Sequence, residues 1–371
     1  MSDGDAAAVL ETPSDDLLAL TAALIGVPSV SGDEGALAGA VEKRLRTRAS
    51  GLVVSRVANN VIARTEQGCD RRVVLGGHLD TVPANDNLAP RLEGDVLSGL
   101  GAADMKGGLA VLLRLAEDAA AVGASGAVPH FDLTLVFYEG EEIAEEHNGL
   151  RAVFAGQPGL LDGDFAVLLE PTGGAVEAGC QGTLHLRAHF SGERAHSARP
   201  WMGHNAIHAA AAALARIAAH ESDTVGVDGL VYRESLQVVR VEGGVANNVV
   251  PDECSIVVNR RFAPCYSVEE ARAQVEALLA GADHIDVLNA SPAAPPNLGD
   301  PMVAAFVQSA ALPVHPKLGW TDVARFAARG VPAVNFGSGD PAVSHTAGES
   351  VTRESVEQCH TVLARFLGLA H

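Results

Sequence analysis

Val73-Val74-Leu75-Gly76-Gly77-His78-Leu79-Asp80-Thr81-Val82-Pro83 passes without interruption from apolar to polar residues. A short unbroken apolar run predicts a strand buried on both faces, and the polar residues after it predict a functional loop at its end. The same design recurs along the chain. Asp132 to Tyr138 is a second buried strand that runs into Glu139-Gly140-Glu141-Glu142, and Phe165 to Leu169 is a third that runs into Glu170-Pro171-Thr172. Ala333 to Phe336 is a fourth, followed by the loop Gly337 to Pro341 and by Ser344-His345-Thr346. Helices are predicted from Leu17 to Leu24 after the cap-like Ser14-Asp15-Asp16, from Gly107 to Ala121, and from about Arg353 to Leu367. Strands alternating with helices predict an α/β, doubly wound sheet covered on both faces.

The pattern changes near Cys180. Thr183 to Phe190 and Ser235 to Val241 alternate apolar with polar residues, and Glu253 to Phe262 is a longer strand. Helices at about Asn205 to Ala219 and Val268 to Leu279 interleave with them. That order predicts a smaller α+β domain over 181–291, inserted between a first part (1–180) and a second part (292–371) of the main domain. Asn289 to Gly299, rich in Pro, Ala and Ser, reads as the linker back.

A length of 371 residues suits two domains. The net charge of -20 would repel nucleic acid and anionic membrane, and no basic stretch offsets it. The five cysteines, Cys69, Cys180, Cys254, Cys265 and Cys359, are scattered without Cys-x-x-Cys spacing, which indicates neither a disulfide framework nor a structural zinc site. Met1 to Asp16 is acidic and polar, unlike a signal peptide, and no apolar stretch is long enough to span a bilayer. A cytoplasmic protein is the expectation.

Each polar segment after a strand has an ordinary reading beside a functional one. His78 could be a hydrogen-bonded loop histidine or a ligand whose second ring nitrogen is oriented by Asp80. In Gly99-Leu100-Gly101-Ala102-Ala103-Asp104-Met105-Lys106-Gly107, Asp104 could be a plain helix cap, or the glycines could bring backbone close to a ligand. Adjacent Glu141 and Glu142 tolerate a confined site only if cations or a shared proton relieve their repulsion, whereas Glu145 and Glu146 read as a solvated loop. Open α/β sheets bind ligands at the carboxyl ends of their strands, which favours function for the set. Two histidines and three carboxylates suit two divalent ions, zinc first, with cobalt or manganese as alternatives. A further carboxylate beside a bridging water would serve as general base.

In this order the segments resemble the dinuclear zinc peptidase and deacylase family that includes carboxypeptidases, aminoacylases, acetylornithine deacetylase and succinyl-diaminopimelate desuccinylase. Carried over position by position, the resemblance implies that His78 and Glu170 hold one metal, Glu142 and His345 the other, and Asp104 bridges them. Glu141 would be the base and Asp80 would orient His78. The inserted domain would be a lid that dimerises, and His196 in Arg194-Ala195-His196-Ser197-Ala198-Arg199-Pro200 would reach the substrate carbonyl of a partner subunit. His185 and His189 are left as structural.

Within the family, Leu168 to Gly174, Glu177 to Leu184, Gly243 to Pro251 and Lys317 to Asp322 are most similar to desuccinylases of actinobacterial type. That resemblance implies a homodimer hydrolysing N-succinyl-L,L-diaminopimelate on the route to lysine, with Asn247 or Asn248, Arg261 and Thr321 as substrate contacts. A guanidinium fork can bind a carboxylate bidentately, which makes Arg261 apt; its ordinary reading is a structural ion pair. Two positions depart from the pattern: Cys180-Gln181 stands where better-known desuccinylases carry an arginine pair, and Leu100 replaces a polar or basic residue. Another N-acyl-amino-acid deacylase or dipeptidase, or a non-catalytic binding protein, are the competing readings.

Overall fold

The computed structural model describes residues 10–13 and 15–369. They divide into two compact units, one of Met1–Ala178, Asn297–His315 and Arg325–His371, the other of Gly179–Pro296 and Pro316–Ala324.

The larger unit is built on an eight-stranded sheet. Its four central strands, in the order Asp132–Tyr138, Arg72–His78, Phe165–Pro171 and Ala333–Gly337, are parallel, so all four end at the same edge. Every residue of Asp132–Tyr138 and Phe165–Pro171 is buried, which is why these stretches read as unbroken apolar runs: helices and loops cover both faces. The hairpin Val53–Val57/Asn60–Arg64 extends one side of the sheet antiparallel to Asp132–Tyr138, and Val176–Ala178 lies antiparallel to Ala333–Gly337 on the other.

Phe165, Phe306 and Phe366 tie the helices Pro301–Ala310 and Arg353–Leu367 to the sheet, with ring centroids 5.1–6.1 Å apart. Helix Gly107–Ser125 lies so close on the His78 strand that a Cβ at Gly77 would come within 2.8 Å of Met105 Cε and 2.9 Å of Leu109 Cδ2. A side chain in place of the glycine before His78 would force Met105 and Leu109 to shift. Helix Leu17–Ile25 is capped by the side chain of Asp16, which accepts from Ala19 N; Ser14 and most of the acidic start lie outside the described residues.

The smaller unit holds an antiparallel four-stranded sheet in the order Ser235–Gly243, Glu253–Phe262, Gly182–Ser191, His284–Ser291. Alternation decides its faces. Leu184, Leu186, Ala188, Phe190, Ile256 and Val258 pack against helices Ala206–Ala218 and Val268–Leu278 in one core. The alternate positions carry His185, Arg187, His189, Asn259 and Arg261. The two helices start on Asn205, which accepts from two backbone amides, and on a reciprocal Ser267–Glu270 capping box.

The return to the larger unit differs from the sequence reading. His284–Ser291 is a strand paired with Gly182–Ser191, so the linker back is shorter than 289–299. Pro316–Ala324, expected in the second part of the main domain, belongs to the smaller unit: Gln181 N donates to Lys317 O at 3.2 Å, and Trp320 Nε1 to Pro292 O at 3.0 Å.

Candidate metal centre

The shared edge of the four parallel strands gathers the polar segments. His78 is the last residue of its strand, Glu141 and Glu142 follow Tyr138, Glu170 lies near the end of Phe165–Pro171, and His345 follows Ala333–Gly337. Asp104 arrives from the loop before helix Gly107–Ser125 with φ -122° and ψ 90°, in a non-helical conformation, so it does not cap that helix.

These six side chains form three overlapping groups, His78/Asp104/Glu170, Asp104/Glu142/His345 and His78/Glu141/Glu142, with one candidate ligand atom per residue within 4.8 Å of the others. Asp104 divides its oxygens between the histidines: Oδ1 is 3.1 Å from His78 Nε2 and Oδ2 is 3.4 Å from His345 Nε2. His345 Nε2 is also 2.7 Å from Glu142 Oε1. One carboxylate thus faces two triads, the disposition a ligand shared by two cations needs.

The electrostatics match. Hydrogen bonds to Asp104 and then Glu142 push the His345 imidazole up to about 10, against the opposing effect of burial. Burial disfavours a charged His78, yet Asp104 and Asp80 together raise it well above its usual value. Burial also opposes ionisation of Asp104, but hydrogen bonds from His345 and His78 hold it far below the ordinary carboxylate range. The donor set attracts positive charge strongly, and its mixture of imidazole and carboxylate fits divalent ions of borderline hardness.

Asp80 does more than lie beside His78. His78 Nδ1 lies 2.9 Å from the backbone oxygen of Asp80 and 3.5 Å from its Oδ1. The carboxylate accepts from the amides of Glu141 and Glu142, each at 3.0 Å, and from Ser31 Oγ at 2.7 Å. Asp80 therefore faces His78 with both its main-chain oxygen and its carboxylate, and the same carboxylate fixes the Glu141–Glu142 turn. Ser31 and the buried Glu349, whose carboxylate accepts from Asp104 N, were not singled out from the sequence; an acceptor of backbone amides leaves no residue pattern.

The other candidate residues all belong to the smaller unit. His196 is exposed, and its Nδ1 accepts from Ala198 N at 3.0 Å, which leaves the ring proton on Nε2. Ser197 N donates to Asn248 O at 2.9 Å, so the His196 loop lies against the segment of Asn247 and Asn248, both exposed. Arg261 is partly buried and, among the described residues, has no ion-pair partner, in contrast to the structural reading; its neighbour Arg260 takes that role, 2.8 Å from Glu234. Thr321 is buried, and its carbonyl lies 3.7 Å from the Sγ of the equally buried Cys180. Glu145 and Glu146 are exposed, as a solvated loop requires. Among the described residues no helix is long and apolar enough to cross a membrane.

The chain is similar to known proteins over most of its length. A protein of Mycobacterium tuberculosis provisionally named a succinyl-diaminopimelate desuccinylase is 48% identical over 354 residues, spanning 95% of this chain and 98% of that one. The succinyl-diaminopimelate desuccinylase of Corynebacterium glutamicum is 43% identical over 358 residues, 95% and 96% of the two chains. Among solved structures, an aminopeptidase of Bacillus cereus shares the fold with a TM-score of 0.77 at 22% identity, covering 96% of this chain and 98% of that one. A dinuclear metal-binding peptidase of Bacillus subtilis does so at 0.70 and 16%, covering 96% and 99%. Residues 74–368 match the peptidase family M20/M25/M40, and the chain belongs to that family.

Proposed function

We propose that this chain hydrolyses the succinyl amide of N-succinyl-L,L-diaminopimelate to succinate and L,L-diaminopimelate, a step toward lysine, at a centre for two divalent cations. Asp104, with one oxygen toward each histidine, is the observation that carries the reaction type. The names of the relatives at 43% and 48% identity carry the substrate.

His78, Asp104 and Glu170 would hold one ion and Asp104, Glu142 and His345 the other, zinc being the first choice and cobalt or manganese the alternatives. When bound, such ions would supply Lewis acidity, making a water more acidic and polarising the substrate carbonyl. The Glu141 carboxylate takes the proton of the attacking water and delivers it to the nitrogen of the leaving amine, base in one half and acid in the other. Asp80 keeps Glu141 in place through the amide hydrogen bond at 3.0 Å. His196, with its proton on Nε2, donates to the oxyanion that develops on the substrate carbonyl. Arg261, without a carboxylate of its own, pairs with a substrate carboxylate, and Asn247, Asn248 and Thr321 add polar contacts.

The smaller unit is proposed to act as lid and as the contact of a homodimer. Its edge strand Ser235–Gly243 exposes Val239 and Val241, 58% and 52% accessible, where a second copy could pair. The enzyme would work in the cytoplasm.

A second reading, another N-acyl-amino-acid deacylase or dipeptidase, is favoured by one observation: Cys180, at the position of the expected arginine pair, is fully buried and offers no cation. Hydrolysis of N-succinyl-L,L-diaminopimelate, N-acetylornithine and a set of dipeptides by the zinc-reconstituted protein decides between them. Preference for the succinyl compound by a hundredfold or more is expected. Turnover of another amide alone would replace the substrate and keep the centre.

A further inference from the structure

The loop that delivers Asp104 is closed around a carboxylate from elsewhere in the chain. Glu349 Oε1 accepts from Ala103 N at 3.1 Å and from Asp104 N at 3.0 Å, while Oε2 accepts from Gly101 N at 3.1 Å. The backbone oxygen of Glu349 accepts a fourth bond, from Gly99 N at 3.1 Å. Strand Ser350–Thr352 then pairs with Val96–Ser98, Ser350 opposite Ser98, which sets this register. Gly101 makes the turn possible at φ +79°, where a side chain would be strained and its Cβ would lie 2.9 Å from Thr81 Cγ2.

Glu349 is 1% exposed and has no ion-pair partner among the described residues. The nearby buried Lys106 Nζ gives its hydrogen bonds to the carbonyls of Leu24 and Val27, not to Glu349. A carboxylate taken out of water with no ion-pair partner is costly, and three amide hydrogen bonds are the offset. A concave run of amides ordinarily receives an anionic ligand. Here the chain fills it with a residue four positions after His345, so one side chain fixes two segments that meet at the metal centre. Asp104 offers its amide to Glu349 and its carboxylate to His78 and His345.

We infer that Glu349 is a positioning residue that sets Asp104 against His345, so that the shared ligand meets both ions at once. It touches neither ion nor substrate. The inference rests on the metal centre proposed above, and metal affinity tests it independently of substrate choice. In Glu349→Gln an NH₂ group faces at least one of the three amides, donor against donor, and the loop must shift. Zinc affinity, measured by chelator competition, is expected to fall 10- to 100-fold. In the metal-saturated enzyme kcat falls at least tenfold while KM changes less than threefold. Glu349→Asp, which keeps the charge and is one methylene shorter, recovers part of both losses; it also serves where the Gln variant does not accumulate as folded protein. Melting of the metal-free proteins separates a general loss of stability from a positioning effect. Wild-type zinc affinity and kcat, within twofold, in a folded Glu349→Gln protein would overturn the inference alone. Wild-type protein that fails to bind two ions would overturn the metal centre and this inference together.

Discussion

Replacing Asp80 by Asn removes one negative charge and one of two acceptor oxygens from a buried side chain. Whichever way the new amide turns, its NH₂ faces the backbone amide of Glu141 or of Glu142, which the two carboxylate oxygens satisfy separately at 3.0 Å. A buried donor left unsatisfied costs about 1–3 kcal/mol. The ionised form of Asp80 is worth a comparable amount. Burial opposes it, but His78, the Glu142 amide and Ser31 outweigh burial and bring the carboxyl from 3.8 down to about 2. That difference corresponds to about 2.5 kcal/mol. Because the folded value is the depressed one, this stabilisation is complete above pH ~4 and is lost as pH falls through ~2, so at neutral pH all of it is at stake. The damage should be local. In hydrogen exchange of the metal-free protein, peptides over residues 139–143 should exchange at least tenfold faster in Asp80→Asn. A misplaced Glu141 should lower kcat about 100-fold, since errors near 1 Å in a reacting group cost that much. Unchanged exchange at Glu141 and Glu142, with kcat within twofold of wild type, would refute the account of Asp80 as the anchor of that turn.

Glu141→Ala should retain two metal ions by elemental analysis while kcat falls by about 10²–10⁴, the range for a lost general base. Removing the ions with a chelator should abolish hydrolysis, and adding zinc or cobalt should restore it, with far-ultraviolet circular dichroism unchanged because the cores do not depend on the centre. Arg261→Ala should lower kcat/KM for the succinyl substrate about 10- to 100-fold, the worth of a charge-assisted hydrogen bond, without altering metal affinity. Gly77→Ala would drive a Cβ to within 2.8–2.9 Å of Met105 and Leu109 and should cost about 1–3 kcal/mol in denaturant unfolding; an unchanged midpoint would contradict the tight packing described.

The buried strands were legible because burial on both faces imposes unbroken apolar runs, and Asp132–Tyr138 is read from sequence to the residue. His78, Glu141, Glu142 and Glu170 were legible because they close or follow such runs, whereas Asp104 stands in a Gly-rich loop before a helix and His345 in a loop beyond its strand. The hairpin Val53–Val57/Asn60–Arg64 escaped notice: its outer strand is partly solvated and reads Val-Val-Ser-Arg-Val, neither alternating nor continuous. His284–Ser291 was read in part as linker because, as an edge strand, it buries little of itself. Pro316–Ala324 joins the smaller unit through backbone and indole hydrogen bonds, which composition does not encode. The same limit applies to the site. Ligand-type side chains announce themselves, whereas the main-chain oxygen of Asp80 and the carboxylate of Glu349 act through geometry that only folding creates.

The six side chains of the centre sit in the larger unit, and the residues proposed to grip the substrate sit in the smaller one, whose own core is formed by Leu184, Leu186, Phe190, Ile256 and Val258. The longer segment of that unit, Gly179–Pro296, is closed where Cys180 and Ala294 exchange backbone hydrogen bonds at 3.0 Å. Substitutions in the smaller unit can therefore change which amide is recognised while leaving every ligand candidate of the centre in place.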